Sequence, residues 1–263
     1  MTATDALFAG SIPGLYHQLL GPLLFEPYAW DLAQRAGALR PGHILETAAG
    51  TGIVTGALLR EAPRAEIVAT DLNQAMLDIA SARLMSWRVA FRQADALALP
   101  FADASFDAVV CQFGVMFFPD RIAAYREARR VLKPGGRFLF NAWDRLENNP
   151  VTAAVAEALT ALFPENPPSF YSRVPFGYHN KLLIEADLRA AGFTEIATET
   201  VEKSSRVDAR NAATGLCQGS PLRAEIEERG PGRLDEATDA AAAALAHFDG
   251  IDAPMSAHVF SAG

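Results

Sequence analysis

The sequence predicts an α/β fold, a parallel sheet covered by helices on both faces. Two observations carry this. Between His43 and Ala142, short apolar strand-like segments alternate with helical stretches, as expected when parallel strands are joined by helical crossovers. Half of the 263 residues are hydrophobic and 21% are charged, enough apolar surface to bury a sizeable core.

Residues 1–40 read as a mostly helical lead-in. Gly10, Pro13, Gly14, Gly21, Pro22 and Pro27 divide it, so only short helices are expected, one of them over Leu32–Leu39. His43–Thr47 is a buried strand, followed by a small-residue turn and an apolar helix to about Arg60. Glu66–Thr70 is a second strand. A helix over Asn73–Ser86 places Met76, Leu77, Ala80 and Leu84 on one face, with Asn73 as its cap. Trp87–Ala94 and Phe106–Gln112 are the third and fourth strands. The helix Arg121–Leu132 stops at Lys133-Pro134-Gly135-Gly136, and Arg137–Ala142 is the fifth strand. A helix over Val151–Phe163, an aromatic and Pro-rich loop over 163–180, a helix over Lys181–Ala191 and a strand over Phe193–Val201 follow. Ser204–Gly250 is mostly helical, and Ala253–Ala262 is a last strand.

The net charge of −8 disfavours a general nucleic-acid binder. The first basic residue is Arg35, so neither a secretory signal nor an Arg-rich presequence is expected. No apolar run approaches the roughly 18–20 residues that span a bilayer, and a cytoplasmic location is the expectation. Cys111 and Cys217 make no CxxC pair and the five histidines no HExxH, so no metal is expected.

The chemistry concentrates in Ile44–Thr55 (ILETAAGTGIVT). Gly50 and Gly52 let a ligand approach the backbone, and the next helix aims its unpaired N–H groups at that point. Asp71 lies 21 residues after Gly50, at the end of the second strand, where a carboxylate can accept from a ribose diol. The alternative is that Asp71 caps the following helix. Thr55 stands where a dinucleotide fingerprint has its third glycine, and neither a P-loop nor GxSxG occurs. A ligand with adenosine and a carboxylate but no pyrophosphate fits better.

Four ordered stretches, ILETAAGTG (44–52), IVATDLNQAML (67–77), QADALALPFADASFDAVVCQFGVMFFPD (93–120) and RRVLKPGGRFLF (129–140), resemble the class I S-adenosylmethionine (SAM)-dependent methyltransferases. The likeness is to the small-molecule type related to ubiquinone and menaquinone C-methyltransferases. It implies a Rossmann-like seven-stranded sheet, mostly parallel with an antiparallel last strand. The single domain would have its SAM-binding core at 41–202 and 252–263, the lead-in at 1–40 and a helical substrate-side insert at 203–251. By resemblance, Glu46, Ala48 and Gly50 meet the methionine part of SAM, and Gly52 belongs to the same cofactor-binding site. Asp71 would meet the ribose, Leu72 and Met76 the adenine face, and Asp95 and Ala96 the adenine edge. Gln112 and Phe113 would lie near the sulfonium, with Phe117 walling the same cavity and Tyr16 closing over it. A ring face suits a sulfonium because it attracts cations. The family usually has Gly at position 48 and often Asp at 46, so Ala48 should narrow the ligand's approach.

The expected reaction is methyl transfer to a small-molecule acceptor. Alternatives are an RNA or protein acceptor, a non-catalytic SAM-binding regulator, and a nicotinamide oxidoreductase. His17, His179 and Tyr178 are candidate bases. No catalytic residue, methylated atom or oligomeric state follows from the sequence. Arg121, Arg126, Arg129, Arg130 and Lys133 read as a solvated face or an RNA-binding stripe, Tyr28 and Arg35 as further lead-in candidates, and Cys111 as inert packing.

Overall fold

The computed structural model describes Asp5 and residues 8–263. Its seven strands are β1 (His43–Glu46), β2 (Glu66–Asp71), β3 (Val89–Gln93), β4 (Phe106–Gln112), β5 (Leu132–Trp143), β6 (Ile196–Arg206) and β7 (Asp252–Ala262). They form one sheet in the order β3-β2-β1-β4-β5-β7-β6. The first five pair in parallel, and β7 runs antiparallel to both β5 and β6. The chain moves outward to β3 on one side of β1 and to β5 on the other. The crevice between the C-terminal ends of β1 and β4 is therefore the switch point at which open α/β sheets bind ligands.

Helices α1 (Ile12–Leu15), α2 (Glu26–Ala38), α3 (Ile53–Glu61), α4 (Gln74–Arg83), α5 (Arg121–Val131) and α6 (Pro150–Leu162) precede α7 (Phe170–Arg173) and α8 (Lys181–Ala190). The 203–251 region contributes the end of β6 and then α9 (Ala209–Gln218), α10 (Leu222–Arg229) and α11 (Leu234–Ala244). In α4, Met76, Leu77 and Ala80 are buried, following the helical spacing, and Leu84 is half-buried beyond its end.

Four local expectations need correction. The lead-in is not a set of separated short helices: helical structure runs unbroken from Ile12 to Ala38. Its middle, Tyr16–Phe25, is a π-helix, whose wider turns accommodate Pro22 without its missing N–H. Trp87 does not begin a strand; it is 86% exposed, and pairing starts at Val89. The Lys133–Gly136 turn is not a clean break, because β5 starts at Leu132 and is paired with Phe106 across a register shift. Asn73 stands at the cap of α4 without a capping side-chain bond; its amide reaches Asp71 instead.

Candidate functional site

The β1–α3 turn is built from left-handed backbone. Ala48, Gly50 and Gly52 have φ of 51°, 56° and 78°. The turn is pinned by Thr47 N–H to the Val110 carbonyl and Ala49 N–H to the Thr70 carbonyl, both 2.9 Å. Left-handed φ at Ala48 costs roughly 1–2 kcal/mol that glycine would avoid. Its methyl faces Gly114, where an added Cβ would stand 2.4 Å from it and 2.7 Å from Cys111 Sγ. The departure at position 48 is thus matched by the missing side chain at 114, which leaves room for the methyl beside the cavity wall.

Two adjoining cavities open on this turn. The outer one has Asp71, Leu72 and Met76 along one side and Asp95, Ala96 and Leu97 along another. Phe8, Phe117, Phe118 and Pro119 form an apolar end. The inner one is bounded by Glu46, Ala49, Thr51, Ile53 and Val54. Tyr16, Ala48, Gly50 and Gln112 line both. Of the residues singled out from the sequence, Phe113 also reaches the outer cavity, although its ring is stacked on Trp143 at 3.8 Å between centroids. Gly52 lines neither. A Cβ there would come within 2.9 Å of Ala80 and Leu84, so its role is to let α3 pack on α4.

Asp71 is buried and holds the turn together. One carboxylate oxygen accepts from Gly50 N–H and the other from Asn73 N–H, both at 2.8 Å. Oδ1 also accepts from Asn73 Nδ2 at 3.4 Å, so Oδ2 is the oxygen that keeps a lone pair for a ligand hydroxyl. The two readings of this residue, diol acceptor and helix-start support, are therefore compatible. Burial raises its pKa despite these donors. Glu46, at the end of β1, is 1% exposed and accepts from Thr55 Oγ1 at 2.6 Å. Burial pushes its carboxyl up to about 8, and the nearby Asp71 charge adds to this. Among the described residues neither acid takes part in a salt bridge. Burial thus keeps Glu46 protonated near neutral pH in the ligand-free protein, and a positively charged ligand group beside the two acids would favour their ionised forms.

Aromatic rings roof the cavities. Tyr16 stacks on Phe25 at 4.8 Å, and Phe8 meets Tyr16 and Phe117 edge-on. The Tyr16 phenol is raised above its ordinary range by burial and then by Asp71. Asp5 is buried and makes a two-pronged ion pair with Arg173, at 2.6 and 2.8 Å, which also binds Glu225. Asp5 is thereby tied to α7 and, through Arg173, to α10.

The other candidates face elsewhere. His17 bonds Thr51 Oγ1 at 3.0 Å from behind the turn, His179 bonds the Phe176 carbonyl, and Tyr178 donates to Asp187. Tyr28 is buried and donates to the Val201 carbonyl, while Arg35 pairs with Asp31 and Glu199. Of the basic stripe, Arg130 pairs with Glu127 and Asp103, and Lys133 with Asp107. Burial pushes the Cys111 thiol up to about 12, in keeping with inert packing. Among the described residues no cluster suits a metal ion, and no helix is long and apolar enough to cross a membrane. Sequence reasoning missed Phe8, Thr55 and Gly114.

Residues 45–140, which contain the turn, Asp71, Asp95 and Gln112, match the family model described as a methyltransferase domain. Over this stretch the chain is similar to methyltransferase domains. Over 114 residues the chain is 43% identical to a demethylmenaquinone methyltransferase of Deinococcus radiodurans, covering 42% of this chain and 47% of the relative. It is 41% identical over 113 residues to a ubiquinone/menaquinone biosynthesis C-methyltransferase of Dinoroseobacter shibae, covering 40% and 44%. The matched region thus spans just under half the length of these relatives. In structure, the chain resembles a Haemonchus contortus phosphoethanolamine N-methyltransferase solved with S-adenosyl-L-methionine. The TM-score is 0.59 at 18% identity, over 95% of this chain and 56% of that one. At that identity the likeness concerns the fold.

Proposed function

We propose that the chain is a SAM-dependent methyltransferase acting on a small-molecule acceptor. The observation that carries this is the pair of buried carboxylates, Glu46 and Asp71, at cavities that meet beneath aromatic rings. The residues suit SAM in three respects. Asp71 Oδ2 offers a lone pair to a ribose hydroxyl, Glu46 offers an acid to an ammonium, and Tyr16 offers a ring near cationic sulfur. When bound, SAM supplies a methyl group on a cationic leaving group, so that a nucleophile can take it with release of a neutral thioether.

The chain's own part is alignment and exclusion of water. Asp71 and the β1–α3 turn fix one end of the donor site, and Phe8, Phe117, Phe118 and Pro119 form the apolar end at which an acceptor can lie. Holding two reactants in line supplies roughly 7–11 kcal/mol of a bimolecular barrier. The apolar end supports a small, largely apolar acceptor, and the net charge of −8 supports it over RNA. Leu72 and Met76 would flank the adenine, with Asp95 and Ala96 at its edge.

Calorimetry with SAM, S-adenosylhomocysteine and NAD tests the donor: the first two bind and NAD does not. Binding of NAD alone overturns the proposal. Transfer of labelled methyl from SAM into a small-molecule extract tests the acceptor. Label confined to RNA or protein rejects the small-molecule class, and donor binding with no transfer to any acceptor leaves a regulatory module as the reading.

A further inference from the structure

The outer and inner cavities share four residues, and one of them carries a buried polar atom with nothing to bond. Gln112 ends β4, and its Nε2 donates to the Phe25 carbonyl at 2.9 Å. A backbone carbonyl can only accept, so the amide must turn its NH2 toward Phe25. That leaves Oε1 on the other side, where it is buried and without a hydrogen-bond partner. Two further buried side-chain atoms among the described residues lack a partner, Arg121 Nε and Asn141 Nδ2, and neither residue lines these cavities. Buried acceptors are normally satisfied, and one left open beside a cavity marks the place of a missing positive or hydrogen-bearing group.

Position says which group. In a ligand whose adenosine lies in the outer cavity and whose amino acid lies in the inner one, the sulfur joins the two halves. It therefore lies at the wall both cavities share, which is where Gln112 stands. Resting on the methyl-donor reading above, we propose that Gln112 Oε1 recognises the charge of the sulfonium and so separates the charged donor from its neutral product. The carbonyl dipole attracts cationic sulfur in a site of low dielectric. After transfer the sulfur is a neutral thioether with its own lone pairs, and the attraction vanishes. The ammonium, carboxylate and ribose are common to both ligands, so Glu46 and Asp71 do not make this distinction. Gln112 does, and it favours release of product.

The test is calorimetry of the full chain with SAM and, separately, S-adenosylhomocysteine, for the wild type and Gln112→Met. Methionine keeps the length and bulk and removes the dipole. The expected result is a fall of about tenfold in SAM affinity with S-adenosylhomocysteine affinity kept within about twofold. A parallel loss for both ligands would mean that Gln112 serves only the Phe25 junction, and it overturns the proposal, as do two unchanged affinities. Should Gln112→Met fail to fold, Gln112→Asn withdraws the oxygen by one methylene while keeping the amide. It should shift the ratio of affinities in the same direction. A wild-type chain that binds neither ligand overturns the methyl-donor reading itself, whereas binding with an unshifted ratio overturns this inference alone.

Discussion

Glu46 makes the stability of the ligand-free protein depend on pH in a direction opposite to that of a salt-bridged acid. Its carboxyl rises from 4.5 to about 8, with burial as the main cause. Below pH 4.5 the group is protonated in folded and unfolded chains alike and contributes nothing. Between 4.5 and about 8 the unfolded chain releases the proton and the folded chain keeps it, so stability falls as pH rises. Above about 8 both forms are ionised and the full penalty applies, about 5 kcal/mol as an upper bound. Glu46→Gln removes the titration and keeps an oxygen for the Thr55 hydroxyl now at 2.6 Å. Urea denaturation of both proteins at pH 5, 7 and 9 should give nearly equal stabilities at pH 5. The variant should gain progressively, by several kcal/mol at pH 9, and saturating SAM should shrink the gap by bringing an ammonium to the wild-type acid. Parallel profiles, or a wild type that gains on the variant as pH rises, would refute the reasoning.

Three further outcomes follow from the same geometry. Asp71→Ala strips acceptors from Gly50 and Asn73 N–H and from the ligand diol, so calorimetry should show SAM and S-adenosylhomocysteine both weakened by about 1–3 kcal/mol; unchanged affinity would reject the ribose assignment. Gly114→Ala drives a methyl to 2.4 Å from that of Ala48 and should destabilise by about 1–3 kcal/mol. Adding Ala48→Gly should recover part of the loss, and strict additivity in the urea midpoints would show that the two positions do not oppose each other. Arg173→Ala leaves the buried Asp5 carboxylate without its guanidinium, so urea denaturation should show about 1–2 kcal/mol lost in stability. An unchanged urea midpoint would show that this ion pair contributes nothing to the fold.

How much of this was readable depended on the distance over which each feature is determined. Strand–helix alternation is local, so β1, β2, β4 and the helices between them were legible, and with them the turn at 48–52 and Asp71. The antiparallel placement of β7 leaves no mark in its own residues and came only from the resemblance. The π-helix was illegible because Gly21 and Pro22 look like a break, and only the wider hydrogen-bond register turns them into continuous structure. Trp87 was read into a strand because aromatic residues favour strands, yet nothing in the fold covers it. Gly114 reads as a loop glycine until the chain brings it against Ala48. Phe8 sits in no periodic pattern, and its one clue was a lone aromatic just before Gly10.

The donor end and the acceptor end of the cavity differ in the same respect. Glu46, Ala48, Gly50, Asp71, Asp95 and Gln112 come from the ends of consecutive parallel strands, so the sheet alone sets their spacing. The roof draws on Phe8, the π-helix and the 115–119 turn, and the ion pair between Asp5 and Arg173 of α7 spans 168 positions of sequence. Glu225 extends that tie, accepting from Arg173 and from the backbone N–H groups of Ser169 and Phe170 at the start of α7. The insert therefore shares polar contacts with the start and end of α7, whereas Glu46 and Asp71 stand at the ends of sheet strands.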